Sequence, residues 1–213
     1  MDNEQIIASL TRDLRPVARG ALWRRLYGYA ATGWVGSALL FLLLLGPQPH
    51  LGEEFATLAP YLKLALSLAF GFAGWRLVRV SAIPGRPVAA PLIGAAAIAV
   101  LAAVAAIGWW VVDAQGRTSA LVLGSSWSTC SPSILLLSIP LLAALLAAMR
   151  RFAPTRLRLA GFAAGLCAGG AAAAIYALYC SEYSPAFIAI WYSLGILAAS
   201  VVGAVIGPRA LRW

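Results

Sequence analysis

The sequence predicts an all-α protein, a polytopic membrane bundle of about six transmembrane helices with both termini in the cytoplasm. Of its 213 residues, 62% are hydrophobic and 11% are charged, whereas soluble domains are close to half apolar and a quarter charged. The apolar residues form runs of about 20, the length of helix that crosses about 30 Å of hydrocarbon. Backbone amides in lipid must bond within their own segment, which favours helices, and no alternating strands of a membrane barrel are seen.

Six apolar runs follow one another along the chain. They cover residues 27–46, 56–75, 88–112, 133–149, 157–179 and 186–207. The fourth run is the shortest and contains Pro140, but we retain it because the charge pattern described next would not alternate without it. No cleavage pattern follows the first run, so we expect that run to stay in the protein as an anchor.

Basic residues alternate with the apolar runs. Fourteen of the 16 lysines and arginines lie before the first run, after the second, between the fourth and fifth, or after the sixth: Arg12, Arg15, Arg19, Arg24, Arg25, Arg76, Arg79, Arg86, Arg150, Arg151, Arg156, Arg158, Arg209 and Arg212. The opposite loops hold Glu53, Glu54, Asp113 and Glu182, with Arg117 as their single arginine. Because short loops rich in lysine and arginine stay in the cytoplasm, the pattern predicts that both termini are inside. The same placement accounts for the net charge of +9 without a nucleic-acid partner.

Lys63 is a basic residue inside the second run, about one turn from its outer end. Two interpretations are open. Its side chain can extend along the helix and place the ammonium at the outer membrane interface, or it can be a buried functional charge. We favour the first.

Residues 1–26 form the one sizeable segment outside the apolar runs, and residues 27–213 form the membrane domain. In the first segment, apolar residues recur at spacings of three and four, as one face of a helix requires: Ile6, Ile7, Leu10, Leu14 and Val17. Such a stripe either lies on the inner leaflet, with arginines near anionic headgroups, or docks into a groove of a soluble partner. Periodicity alone does not choose between them.

Two of the three cysteines are predicted to lie at the outer face at a similar depth. Cys130 comes just before the fourth run and Cys180 just after the fifth. In an oxidising compartment such a pair can form a disulfide, and its sulfurs can instead bind a soft ion such as Cu(I) or the borderline Zn(II). We favour a functional pair over two unrelated cysteines. Cys167 lies in mid-helix among small residues and is predicted to be a packing residue.

The fifth run also carries a regular glycine pattern. Gly161, Gly165 and Gly169 are four residues apart. Such spacing lets two membrane helices approach closely, so we expect this face to pack against a neighbouring helix.

The sequence gives no indication of an enzyme. It contains no C-x-x-C, no phosphate-binding loop and no visible nucleophile–base pair, and His50 is its single histidine. A small membrane transporter should carry charges at mid-membrane, and a membrane thiol-redox protein should carry a second redox pair. The runs contain neither, so both remain less favoured alternatives.

Several stretches resemble the NrsF family. In the C-terminal half they are the sequences RRFAPT at 150–155, AGFAAG at 160–165, YALYC at 176–180 and WYSLG at 191–195. The opening pattern of Ile6 and Ile7, then Leu10, Leu14, Pro16 and Val17, is also similar to the start of that family. One departure is Tyr179, where many members are expected to have histidine before the second cysteine.

The resemblance implies a function, because NrsF proteins are negative regulators of an extracytoplasmic-function sigma factor in Proteobacteria. It implies a membrane anti-sigma factor of the bacterial inner membrane, whose partners are that sigma factor and the bilayer. The stripe of residues 6–17 would bind the sigma factor, and Cys130 with Cys180 would sense heavy-metal or oxidant stress. No cofactor is required; a soft metal ion would enter only as the signal.

Overall fold

The computed structural model describes residues 4, 5, 7, 20–48, 52, 55, 57–112, 124–152 and 154–212. Its long helices are α1 (Ala21–Leu44), α2 (Ala59–Ser81), α3 (Ala89–Val112), α4 (Trp127–Met149), α5 (Leu157–Tyr176) and α6 (Pro185–Ala210). A short 3-10 helix, Arg150–Phe152, follows α4. Helix α6 widens into a π-helix over Ile188–Tyr192 before it continues as Ser193–Ala210.

The all-helical prediction is confirmed over these ranges, in which no strand occurs. Each of the six helices is long and apolar enough to cross a membrane. The predicted boundary between residues 26 and 27 falls inside α1, which begins at Ala21. Residues 21–26 therefore belong to the first helix and not to the preceding segment.

The start of the fourth helix was also predicted wrongly. Helix α4 begins at Trp127, six residues before the predicted run, so Cys130 and Pro132 lie within it. Hydroxyl groups lower the hydropathy of this stretch. In the structure, two of these hydroxyls donate hydrogen bonds to backbone carbonyls. Thr129 donates to the Ser126 carbonyl at 3.1 Å and Ser131 to the Trp191 carbonyl at 2.8 Å.

The helices alternate in direction, so that the bundle has two distinct ends. One buried cluster joins the start of α1 to the ends of α2, α4 and α6, and its members include Leu26, Leu77, Met149 and Leu211. We call this the arginine-rich end, because the basic residues at these helix termini lie beside it. The other cluster joins the starts of α4 and α6 to the end of α5 through Cys130, Tyr176, Cys180 and Tyr192; we call it the cysteine end.

Helix α5 is the centre of the bundle, with its most extensive packing against α6 and α2. A Cβ at Gly165 would lie 2.6 Å from the Ser200 Cα of α6, and a Cβ at Gly169 would lie 3.0 Å from the Ile196 Cα. A Cβ at Gly161 would likewise overlap the backbone of Gly203. The predicted close approach along the 161–165–169 face is therefore confirmed, and the partner is α6.

Candidate functional site

The structure brings Cys130 and Cys180 together at the cysteine end. Cys130 lies in the first turn of α4 and is fully buried; Cys180 follows the end of α5 by four residues and is 2% exposed. The two side chains belong to one buried cluster, with their sulfurs close enough for a thiol–sulfur hydrogen bond. Both are free thiols in this structure. Two sulfurs in such contact can be joined by a disulfide or share a soft metal ion.

Local backbone geometry fixes both sulfurs. After Tyr176 the chain makes a tight turn in which the Tyr179 and Cys180 amides donate to the Tyr176 carbonyl at 2.9 and 3.1 Å. This turn holds Cys180 beneath the end of α5. At the start of α4 the Cys130 amide donates to the Ser126 carbonyl at 3.0 Å, which places Cys130 on the side of α4 that faces the turn.

Lys63 lies in the same site, and the favoured prediction for it was wrong. Its side chain is 0% exposed, and its ammonium donates to the Cys180 carbonyl instead of reaching a membrane interface. The ammonium also lies 5.9 Å from the centroid of the Tyr183 ring. The reason is that the turn after α5 covers the start of α2, so the lysine meets a carbonyl and an aromatic ring inside the protein.

Glu182 ties the Cys180 loop to the start of α4. Its Oε1 accepts from the Ser125 amide at 2.7 Å, the Ser125 hydroxyl at 2.6 Å, and the Ser126 amide and hydroxyl at 3.2 Å each. Partial burial raises the pKa of the Glu182 carboxyl, but the serine donors outweigh it, and the pKa is lowered overall. Gly124 has a φ of +57°, and a Cβ there would lie 2.9 Å from Oε1, so this contact requires glycine.

The two sulfurs are electrostatically unequal. The hydrogen bond from Cys130 lowers the pKa of the Cys180 thiol most strongly; burial opposes it, and the nearby Lys63 ammonium lowers the pKa further. The net effect is a pKa below the ordinary thiol value, so Cys180 is the sulfur that loses its proton more readily. Because thiolates are the nucleophiles and metal ligands, Cys180 is the more reactive member of the pair.

The site offers a metal ion two sulfurs and little else. Within the described ranges no group of three or more histidine, cysteine, aspartate or glutamate side chains is placed to hold a metal. Two sulfurs fit a soft ion of low coordination number or a disulfide better than a structural Zn(II) site, which takes four ligands. Tyr179 offers no ring nitrogen; its ring packs on Tyr176 at 5.8 Å. His50, Glu53, Glu54 and Asp113 lie outside the described residues.

Cys167 is remote from this pair. It belongs to the cluster at the arginine-rich end, whereas Cys130 and Cys180 belong to the other. It is 8% exposed, and a Cβ at Gly74 of α2 would lie 2.7 Å from its Cα. This position agrees with the packing role predicted for it.

Of the five residues of the predicted sigma-binding stripe, the structure describes only one. Ile7 is helical and 60% exposed, while Ile6, Leu10, Leu14 and Val17 lie outside the described residues. Just beyond the stripe, Trp23 in α1 packs on Phe152 with ring centroids 5.6 Å apart. The Arg79 guanidinium, near the end of α2, lies 5.2 Å from the centroid of the Trp23 ring. The start of α1, which follows the N-terminal segment, is thus in contact with α2 and with the 3-10 helix after α4.

In the part of the chain that the structure describes, six long helices are apolar enough to cross a membrane, and two buried cysteines lie together at one end of the bundle. This is the architecture of a helical membrane protein with a cysteine pair. The chain belongs to the NrsF family, described as "Negative regulator of sigma F", whose model matches residues 10–213. The family resemblance predicted from the sequence is therefore confirmed.

Two relatives have been named for their function. The "Anti-sigma-F factor NrsF" of Caulobacter vibrioides is 38% identical over 214 residues, which cover 100% of both chains. The "Probable anti-sigma-F factor NrsF" of Azospira oryzae is 39% identical over 193 residues, which cover 86% of this chain and 87% of that protein. No solved structure matches the chain.

Proposed function

We propose that this protein is an inner-membrane anti-sigma factor that sequesters an extracytoplasmic-function sigma factor and releases it when Cys130 and Cys180 sense heavy-metal or oxidant stress. The anti-sigma activity is supported by membership of a family of negative regulators of sigma F and by the names of the two relatives. The sensing role is supported by a single observation: the two thiols are in contact in a buried site. The relatives' names lend no support to the transporter and thiol-redox alternatives.

The proposed orientation places the arginine-rich end in the cytoplasm and the cysteine end outside. Two observations support it. Arginines are concentrated in one of the two sets of loops, and the helix termini beside those loops meet at one end of the bundle. Reporter fusions after Arg86, after Arg158 and at the C-terminus are expected to report cytoplasm. Fusions at Gly52, Gln115 and Ser184 are expected to report the outside. An external C-terminus would contradict the six-span topology.

The sensing chemistry needs only the two sulfurs and an external reactant. A two-electron thiol oxidant would take up two electrons as the two thiols lose their protons and form one S–S bond. A soft metal ion would instead bind both sulfurs as the two thiols lose their protons. Either event links the first turn of α4 to the turn after α5. This is a local change of the kind that biases a two-state element.

The central experiment compares cysteine variants in a sigma-dependent reporter strain, with and without the thiol oxidant diamide or silver(I). Because neither sulfur acts alone, Cys130→Ser and Cys180→Ser are expected to impair induction equally, and the double variant little more than either single one. Cys167→Ser serves as the matched control and is expected to respond as the wild type does. Additive effects of the two substitutions, or a dominant effect of Cys167→Ser, would show that the pair is not one site.

The docking role of the N-terminal stripe has a test of its own. Leu10→Asp and Leu14→Asp place a charge on the apolar face and are expected to weaken co-purification of the sigma factor, because burial of an unpaired charge is costly. Gln5→Asp adds the same charge on the opposite helical face and is the control. If the stripe only lies on the membrane, the two leucine variants change membrane contact and leave sigma binding intact, which would reject the docking role.

A further inference from the structure

Lys63 carries a charge that is buried inside the protein. Among the residues that the structure describes, it is the one charged side chain in the buried class, with 0% of its surface exposed. An ammonium removed from water loses several kcal/mol of solvation unless nearby groups replace that solvation. A methionine of similar length would fill the same space without this cost, so packing does not account for a lysine here.

Four groups of the cysteine site replace the lost solvation. The Cys180 carbonyl accepts a hydrogen bond from the ammonium, and the Tyr183 ring presents its electron-rich surface at 5.9 Å. The ammonium also interacts electrostatically with both sulfurs, Cys130 and Cys180. All of these groups belong to α4 or to the turn after α5, whereas Lys63 belongs to α2. The lysine is thus the charged link between α2 and the cysteine pair.

We propose that Lys63 is a positioning residue of the cysteine site. It holds α2 against the Cys180 turn while both thiols are free. When the bonding of the thiols changes, Lys63 transmits that change to α2. The proposal rests on the proposed sensing function of the pair. A soft cation bound by the sulfurs places a second positive charge beside the buried ammonium. A disulfide joins the two sulfurs and shifts the Cys180 turn, whose carbonyl accepts the hydrogen bond from the ammonium. Either change weakens the attachment of Lys63 and frees the start of α2 to move.

The other end of α2 contacts the start of α1, the helix that follows the N-terminal segment. Arg79 is 16 positions after Lys63 on one continuous helix, which places it about 24 Å away along the axis. There its guanidinium lies over the Trp23 ring of α1 at 5.2 Å. Helix α2 also approaches the α5 backbone closely, since a Cβ at Gly170 would lie 2.6 Å from the Gly71 Cα. We expect α2, as one continuous helix, to transmit a displacement at Lys63 along this interface to Trp23.

The test uses the full-length protein in its membrane with its sigma factor. Lys63→Met keeps the length and removes the charge, Lys63→Arg keeps the charge, and Leu62→Met is a control for methionine at this part of α2. We expect Lys63→Met to retain repression without stress but to lose reporter induction by diamide or silver(I) by about fivefold or more, the lower range of allosteric couplings. Lys63→Arg and Leu62→Met are expected to keep most of the induction.

A second measurement separates transmission from sensing. After diamide treatment, the fraction of Cys130–Cys180 disulfide is measured by alkylation and mass spectrometry in a Cys167→Ser background. The proposal expects Lys63→Met to form the disulfide to at least half the extent of its parent while induction is lost.

Wild-type induction in Lys63→Met, with induction still lost in Cys130→Ser, would overturn the role of Lys63 alone. Wild-type induction in Cys130→Ser and Cys180→Ser would instead overturn the sensing function. If Lys63→Met does not accumulate, Lys63→Gln replaces it, and equal loss of induction in Lys63→Arg would then overturn the charge-based role.

Discussion

Helices α3 and α5 are both apolar and of similar length, yet α3 is the least buried and α5 the most buried of the six long helices. In α3 the mean hydropathy is 2.4 and 11% of its most apolar stretch is buried; in α5 the values are 1.6 and 78%. The more apolar helix is therefore the less buried one. In a membrane, lipid is as apolar as leucine, so hydrophobicity does not drive helices together, and close packing of small residues does. Between these two helices, burial therefore follows the glycine packing of α5 and not hydropathy.

The largest expected effect comes from matched substitutions in these two helices. Gly165→Leu in α5 places side-chain atoms against the α6 backbone, where even the Cβ would lie 2.6 Å from the Ser200 Cα. We expect a loss of about 3 kcal/mol or more in the free energy of unfolding, because two helices must separate to accept the side chain. Gly94→Leu in α3 meets no atom within 4 Å of its Cβ and is expected to be neutral. Thermal unfolding of both variants in detergent checks this, and equal destabilisation would contradict the packing difference.

A finer contrast lies within α2, between two glycines less than a turn apart that both face α5. A Cβ at Gly74 would lie 2.7 Å from the Cys167 Cα, whereas a Cβ at Gly71 would lie no closer than 3.6 Å to any atom across the interface. Gly74→Ala is therefore expected to cost about 1–3 kcal/mol. Gly71→Ala is expected to be neutral or slightly stabilising, because alanine favours the helix. The midpoint of thermal unfolding distinguishes them, and a reversed order would refute this interface geometry.

The smallest effect is expected beyond the end of α5, at Glu182. Glu182→Gln weakens the hydrogen bonds to Ser125 and Ser126 and is expected to cost about 1 kcal/mol, since bonds to a charged acceptor are stronger than those to an amide. The folded pKa of Glu182 is lowered, so its stabilisation is complete above the unfolded pKa of about 4.3. It is lost as the pH falls through the lower folded value.

The measurement for Glu182 is the unfolding midpoint of both proteins from neutral to acid pH. The wild type and Glu182→Gln are expected to differ at neutral pH and to converge as Glu182 of the wild type becomes protonated. Ser133→Ala in α4 provides a control that leaves the carboxylate contacts in place. A difference that persists unchanged into acid would show that the carboxylate charge is not the source of the stabilisation.

Site residues were predicted from the sequence with unequal success, for reasons that lie in the kind of signal each one carries. Cys130 and Cys180 stand out because cysteine is rare here and charge alternation assigns both to one end. Glu182 carried no comparable signal: an acidic residue in an outer loop agrees equally with a solvated loop and with the serine contacts observed. Lys63 was misplaced because its sequence position, one turn from a helix end, suits an interfacial lysine as well as a buried one.

The class of fold, the number of long apolar helices, the family and the assignment of two cysteines to one end were all predictable from the sequence. They depend on run length, charge alternation and motif, which can be counted along the chain. Three features required the three-dimensional structure: which helix is central, that α4 extends through Cys130, and that the Lys63 ammonium is buried against the Cys180 carbonyl. Those features depend on which backbone surfaces approach closely enough to exclude lipid and water, and that is set by contacts between segments distant in the chain.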